Sequence, residues 1–195
     1  LVTKGLNFPN VTLVGVLDGD SSLYTDDFRA AETTFAKITQ VIGRAGRGES
    51  KGRAVIQTMT PENQVLLQAA CQDYDAFYRS ELPLRQVRGC PPLADVLQIR
   101  FFGVFENEVA EGALRFRQAL SQALQRTAWT DQRIVVMGPA PASVVRVMNR
   151  YQYRLTILAK NTKELRAFLS DLLKWFAKDR ANTHITALVD VNPLS

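Results

Sequence analysis

Along the chain the apolar positions follow two rhythms, and the changes between them mark the elements. Residues 11–17 form a run of strand-forming side chains, and residues 28–43 then switch to apolar positions at helical spacing. Residues 53–58 read as a second strand and residues 63–71 as a second helix, an order that suits the edge of a parallel sheet. Asp26 or Asp27 is placed to cap the first helix, and Gly43, Gly46 and Gly48 stop it. From Asp73 the spacing of Tyr74, Phe77 and Tyr78 predicts a helical start, with these aromatics facing a core, until Pro83 and then Pro91-Pro92 break it.

The remainder reads as one unit. Val96 to Val104 is a strand, and Asn107 to Gln125 is a helix whose apolar face is Val109, Ala113, Phe116, Leu120 and Leu124. Ile134 to Met137 is a short strand, Gly138-Pro139-Ala140-Pro141 a turn, and Ser143 to Ala159 a strand or hairpin bent around Asn149. A helix follows from Lys163 to Ala177, opened by Asn161 with Glu164 as its capping-box partner, with Leu165, Phe168, Leu169, Leu172 and Phe176 inward. Thr186 to Val191 is the last strand. The order strand-helix-strand-strand-helix-strand predicts a split βαβ, ferredoxin-like sandwich. Within 150–157, Tyr151, Tyr153, Leu155 and Ile157 point one way and Arg150, Gln152, Arg154 and Thr156 the other, so one face packs and the other is basic.

Charge sharpens that picture. The net charge is +5, yet residues 1–62 hold seven Lys/Arg against seven Asp/Glu, so the excess lies in residues 63–195, with seventeen against twelve. No acid stands between Asp131 and Glu164, where Arg133, Arg146, Arg150, Arg154, Lys160 and Lys163 all fall. Such an imbalance suits a polyanionic partner or a solvated basic face. Arg146, Arg150 and Arg154 are the candidate DNA-backbone contacts. Cys71 and Cys90 are too few for a disulfide framework and too far apart for a metal knuckle, and His184 reads as a strand residue rather than a ligand. No residue is assigned to a metal. No apolar run approaches membrane-spanning length, and no segment resembles a signal peptide.

Gln40-Val-Ile-Gly43-Arg44-Ala-Gly46-Arg47 sets two arginines and two glycines at the end of an amphipathic run. Arginine suits the neutralisation of a transferring phosphoryl group, and glycine lets backbone come close to it; an arginine pair after a helix is otherwise a solvated end. The spacing Gln-x-x-Gly-Arg-x-Gly-Arg resembles the sixth motif of superfamily 2 helicases. Thr3-Lys4-Gly5-Leu6-Asn7-Phe8-Pro9-Asn10-Val11, the strand after it and Asp18-Gly19-Asp20 resemble the fifth. Adding Tyr24, Asp27-Phe28-Arg29-Ala30-Ala31-Glu32, Gln57-Thr58, Asp73-Tyr74-Asp75-Ala76-Phe77-Tyr78, Pro91-Pro92, Gly138-Pro139-Ala140-Pro141 and Asp190-Val191-Asn192-Pro193, nearly the whole chain resembles the PriA family of replication-restart helicases.

That resemblance implies an α/β fold: residues 1–62 as the end of a RecA-like helicase lobe, 63–92 as a helical connector, and 93–195 as an α+β split βαβ domain binding DNA or a partner. It implies an ATP-dependent 3′-to-5′ DNA helicase that recognises stalled forks and D-loops and starts primosome assembly in the cytoplasm, at the nucleoid. Thr3, Lys4, Gly5, Gln40 and Gly43 then belong to the ATP site, and Arg44 and Arg47 to catalysis, with Arg47 the arginine finger. Asn7 and Gly19 depart from the family pattern without touching the arginines. The sequence has no Gly-Lys and no Asp-Glu dipeptide, so the phosphate loop and the acidic Mg2+ motif are expected elsewhere in a longer parent. ATP and Mg2+ are thus cofactors of the parent, and zinc is expected only in a cysteine-rich insertion upstream. Forked DNA, the single-strand-binding protein and other primosome proteins are the implied partners. The alternatives are a binding module for forked DNA or for the acidic tail of single-strand-binding protein, and a related branch-migrating or RNA helicase.

Overall fold

A computed structural model describes residues 11–45, 52–126 and 133–193. The chain divides after Val87 into two units, Leu1–Val87 and Arg88–Leu194. In the first, β1 (Leu13–Val16) pairs in parallel with β2 (Arg53–Ile56), from Leu13↔Arg53 to Val16↔Ile56. Parallel neighbours need a crossover, which α1 (Ala30–Ile42) supplies. The helices α2 (Gln64–Ala70) and α3 (Tyr74–Arg88) complete the unit. Phe35 and Ile38 of α1, Leu66 and Ala69 of α2 and Phe77 of α3 form its core, with the Phe35 and Phe77 rings stacked 4.5 Å apart.

Three local readings change here. No side chain caps α1, which starts after Arg29, because the Asp27 carboxylate accepts from the Arg29 N–H at 2.9 Å and so closes a turn one residue early. The break expected at Pro83 does not occur, and α3 runs through it. Pro83 is exposed, so water can satisfy the carbonyl its missing N–H leaves behind, and the Arg85 guanidinium binds Glu81 at 2.9 Å and Glu32 at 3.0 Å, tying the following turn to α1. Of the three aromatics that open α3, only Phe77 is buried; Tyr74 and Tyr78 are exposed.

In the second unit, β3 (Asp95–Gly103), α4 (Glu106–Arg126), β4 (Val135–Val147), β5 (Arg150–Ala159), α5 (Lys163–Lys178) and β6 (Thr186–Val191) follow in order. The sheet order is β4-β5-β3-β6, and every neighbouring pair is antiparallel. This is the connectivity of a split βαβ unit. The helices cover one sheet face: Val109, Ala113, Phe116 and Leu120 of α4 and Leu165, Leu169 and Phe176 of α5 pack on Leu97, Ile99, Phe101, Leu155 and Ile157. At the centre the Phe101, Phe116 and Phe176 rings meet edge to face, with centroids 5.4, 5.7 and 5.6 Å apart. Each such pair adds about 0.5–1.5 kcal/mol beyond its burial.

Gly138-Pro139-Ala140-Pro141 is not a turn. β4 continues through it, and its register against β5 slips once between Met137 and Ala140 and again between Pro141 and Arg146. Prolines without N–H donors are tolerated there because β4 is an edge strand. Gly138 holds a φ of +91°, and a Cβ at this position would lie 2.9 Å from the Arg154 carbonyl oxygen. The reversal falls instead at Met148-Asn149, whose φ values of 47° and 61° make a two-residue hairpin turn with both residues left-handed.

The cap of α5 is Thr162, not Asn161: its hydroxyl accepts from the Leu165 N–H at 3.2 Å. Asn161 instead accepts from the Arg166 guanidinium through its backbone and side-chain oxygens. Glu164 therefore stands one position too early for a capping box; a bond from its own backbone N–H, with the Thr162 hydroxyl, holds its carboxyl below the ordinary range. His184 lies before β6 rather than in it, exposed, with Nδ1 3.5 Å from Glu108. Cys71 is exposed and Cys90 buried.

Candidate nucleic-acid interface

The sheet face away from α4 and α5 carries the basic alternation. Cross-strand pairs share a face, so the ladder sets Arg100, Arg154 and Leu188 in one row and Phe102, Gln152 and Thr186 in the next. Arg150 lies beyond, its guanidinium donating to the Thr186 hydroxyl at 2.9 Å. Arg100 bonds Asp190 at 3.3 Å and sits 5.7 Å from the centre of the Phe102 ring. Two guanidinium groups directly opposite one another on a ladder repel. Here Asp190 pairs with Arg100 and lessens that repulsion.

Arg150 and Arg154 thus share the open face, whereas Arg146 does not join them. It pairs with Tyr151, on the side of the sheet that Tyr153, Leu155 and Ile157 face, because the second register slip in β4 sets it there. Its guanidinium lies 5.1 Å from the centre of the Tyr151 ring and donates to the Asn149 side-chain oxygen at 2.8 Å. Tyr153 packs against the helix-covered core, and its phenol donates to Glu106 at 3.4 Å. Burial first, then the carboxylate, push that phenol above its ordinary value. Arg100 and Phe102, absent from the sequence-based site, belong to the open face; the alternation of Leu97, Ile99 and Phe101 against Gln98, Arg100 and Phe102 carries the same signal as β5.

In the first unit Thr3, Lys4, Gly5 and Arg47 fall outside the described residues. Gln40 and Gly43 are exposed at the last turn of α1, and Arg44 follows, half-buried. Gln72, with a φ of 55°, reaches back to donate to the Thr39 carbonyl at 3.3 Å, and so braces that helix end. Asp20 is buried at the ends of β1 and β2. Its carboxylate accepts from the Thr58 hydroxyl, from the Met59 N–H at 2.6 Å and from the Thr60 hydroxyl at 3.2 Å. Led by the Thr58 bond, these contacts outweigh burial and hold its carboxyl below the ordinary range. The residues of Asp18-Gly19-Asp20 and Gln57-Thr58 therefore meet: the Gly19 N–H also donates to the Gln57 carbonyl at 2.9 Å, fastening the strand ends where parallel sheets place their ligands.

Asn192 has a comparable role in the second unit. Its side-chain oxygen accepts from the Val96 N–H at 2.9 Å, and its amide donates to Asp95 at 2.8 Å. The other oxygen of Asp95 accepts from the Asn161 N–H at 3.0 Å, so one carboxylate joins the starts of β3 and α5 to the end of β6. Among the described residues no group of three or more His, Cys, Asp or Glu is arranged to hold a metal, and no helix is long and apolar enough to cross a membrane.

A parallel βαβ unit followed by a split βαβ unit with an arginine-bearing sheet face that α4 and α5 do not cover defines a mixed α/β protein with two kinds of sheet. Residues 86–194 match the family model described as Primosomal protein N C-terminal domain. The chain is similar to Replication restart protein PriA of Bacillus subtilis (strain 168), 36% identical over 193 residues, 99% of this chain and 23% of that protein. It is 38% identical to Replication restart protein PriA of Synechocystis over 157 residues, 80% of this chain and 18% of the other. With that of Chlamydia muridarum it shares 33% over 195 residues, 100% of this chain and 25% of the other. The chain belongs to the PriA family of replication restart proteins. It spans about a quarter or less of the length of these relatives.

Proposed function

We propose that this chain supplies the C-terminal part of an ATP-dependent 3′-to-5′ DNA helicase that recognises stalled forks and D-loops and starts primosome assembly. The observation that carries the DNA-binding part is the sheet face away from α4 and α5, with Arg100, Arg154 and Arg150 along it. Guanidinium groups in rows grip phosphates without reading sequence, and Phe102 beside them offers a ring to an unpaired base.

The first unit is read as the end of a RecA-like lobe. Parallel sheets are covered on both faces, mainly by their crossover helices, yet Leu13 and Val55, on one face of β1 and β2, are exposed. That exposure fits a sheet with a face still to be covered. In such a lobe Gln40, Gly43, Arg44 and Arg47 meet the nucleotide phosphates, Thr3, Lys4 and Gly5 couple them to the DNA track, and the lobe holding the phosphate loop supplies the Mg2+ ligands. The 195-residue chain then neither hydrolyses ATP nor unwinds DNA alone. Arg100 and Arg154 beside the exposed Leu188 would also suit the acidic, apolar tail of single-strand-binding protein, the second reading for this face.

Fork binding by the 195-residue chain, measured across a salt series, tests the proposal. Arg150→Glu with Arg154→Glu should lower affinity alike for forks of different sequence and flatten the log-log salt slope by roughly one to two, as for one or two lost phosphate contacts. An unchanged slope would transfer the face to protein binding.

A further inference from the structure

The β4–β5 hairpin ends in a feature that neither the fold nor the open face requires. Met148 opens the two-residue turn with φ 47°, in a conformation that glycine and asparagine adopt readily and methionine does not. It is 93% exposed, the most exposed large apolar side chain among the described residues, and Val147 beside it is also exposed. A bulky side chain in the left-handed region, gaining no burial there, stabilises nothing within its own unit.

Two arginines flank it. On one face of the hairpin Arg146 lies on Tyr151 and donates to Asn149; on the other Arg150 donates to Thr186. Both hydrogen-bond partners are neutral, so each guanidinium keeps its full charge for an outside anion. The nearest acids in sequence are Asp131 and Glu164. An apolar point flanked on both faces by arginines is complementary to a nucleic acid, whose phosphates lie outside and whose base stack is apolar.

We infer that Met148 is a wedge that presses against the base pair at the branch of forked DNA while Arg146 and Arg150 hold the phosphates on either side. Apolar wedges enter a duplex where stacking is already interrupted, and the last pair at a branch has lost a stacking partner, so unstacking it costs least there. The inference rests on the DNA-binding reading proposed above, and it adds which part of a fork is met and by what.

The test uses the 195-residue chain, a forked duplex with 2-aminopurine beside the branch, and a blunt duplex of equal length. Wild-type protein should raise 2-aminopurine fluorescence at the branch. Met148→Gly suits the turn better than methionine and keeps the fold, but should remove the fluorescence rise and weaken fork binding about tenfold, the scale of one buried methionine, with blunt-duplex binding unchanged. Met148→Leu should keep both signals. If Met148→Gly keeps the rise and the preference for forks while Arg150→Glu with Arg154→Glu flattens the salt slope, the wedge is wrong and the open-face reading stands. If Met148→Gly loses the rise while Arg154→Glu alone leaves the slope unchanged, the wedge stands and the open face is not the phosphate track. Failure of the wild type to bind either DNA overturns both.

Discussion

Asn192 holds a left-handed φ of 50° so that one side-chain amide can bond both the Val96 N–H and the Asp95 carboxylate. Truncation would leave a ladder N–H and a carboxylate oxygen without their partner. Asn192→Ala should therefore destabilise the second unit by roughly 1–3 kcal/mol, read as a lower midpoint in urea at unchanged slope. Asp20 acts in the first unit through charge. Its carboxyl is held below the value it has in the unfolded chain, so its bonds to Thr58, Met59 and Thr60 contribute stability above about pH 4 and lose it as pH falls through the depressed value. Asp20→Asn should lower the first unit's stability at neutral pH and make thermal unfolding between pH 5 and pH 2, roughly, less sensitive to acid than in the wild type. An equally steep acid dependence in the variant would put the titrating group elsewhere.

At the scale of elements, β4 shows how an edge strand absorbs what would end an interior one. Its two slips let Pro139 and Pro141 stay in the sheet, and the first depends on Gly138, where an added Cβ meets the Arg154 carbonyl and φ is +91°. Gly138→Ala should cost roughly 1–3 kcal/mol of backbone strain, or shift the register of β4. Chemical shifts of Arg154 and Leu155 amides would move with such a shift, whereas those of β6 would not. α3 makes the converse point. Its proline lies on the wet side and is bridged by Arg85, so a residue that usually ends a helix leaves this one intact.

At the scale of the whole molecule, catalysis in the proposed reading needs two lobes, since an arginine can stabilise a γ-phosphate held opposite it only when the holder is present. Charge spreads over the equatorial oxygens in the transition state, so a planar, always-charged group acts there more than on bound ATP. In the full-length protein Arg47→Ala should cut DNA-stimulated ATP turnover by about 10³-fold or more while fork and nucleotide affinity fall only a few-fold. Arg47→Lys should rescue only part, because an ammonium lacks the planar fork. Near-normal turnover in the Ala variant would move the role to Arg44.

Periodicity alone settled the elements whose burial is one-sided. The apolar faces of α4 and α5, the span of β6 and the alternation in β5 were all legible, because a stripe facing a core repeats with the pitch of its element. The split βαβ order followed from them. Cap positions, the passage of α3 through Pro83 and the passage of β4 through its prolines were not, because each depends on which side of an element meets water or a neighbouring strand. The same holds for the candidate site. Arginines on β5 could be read as one basic face, but that Arg146 of β4 lies on the other face was set by a register slip, and Arg100 and Phe102 joined the basic face only once β3 was known to lie beside β5. Tertiary structure alone decided that Asp20 and Asn192 are clasps, because their partners, Thr58 and Asp95, are distant in sequence and meet them only where strand ends converge.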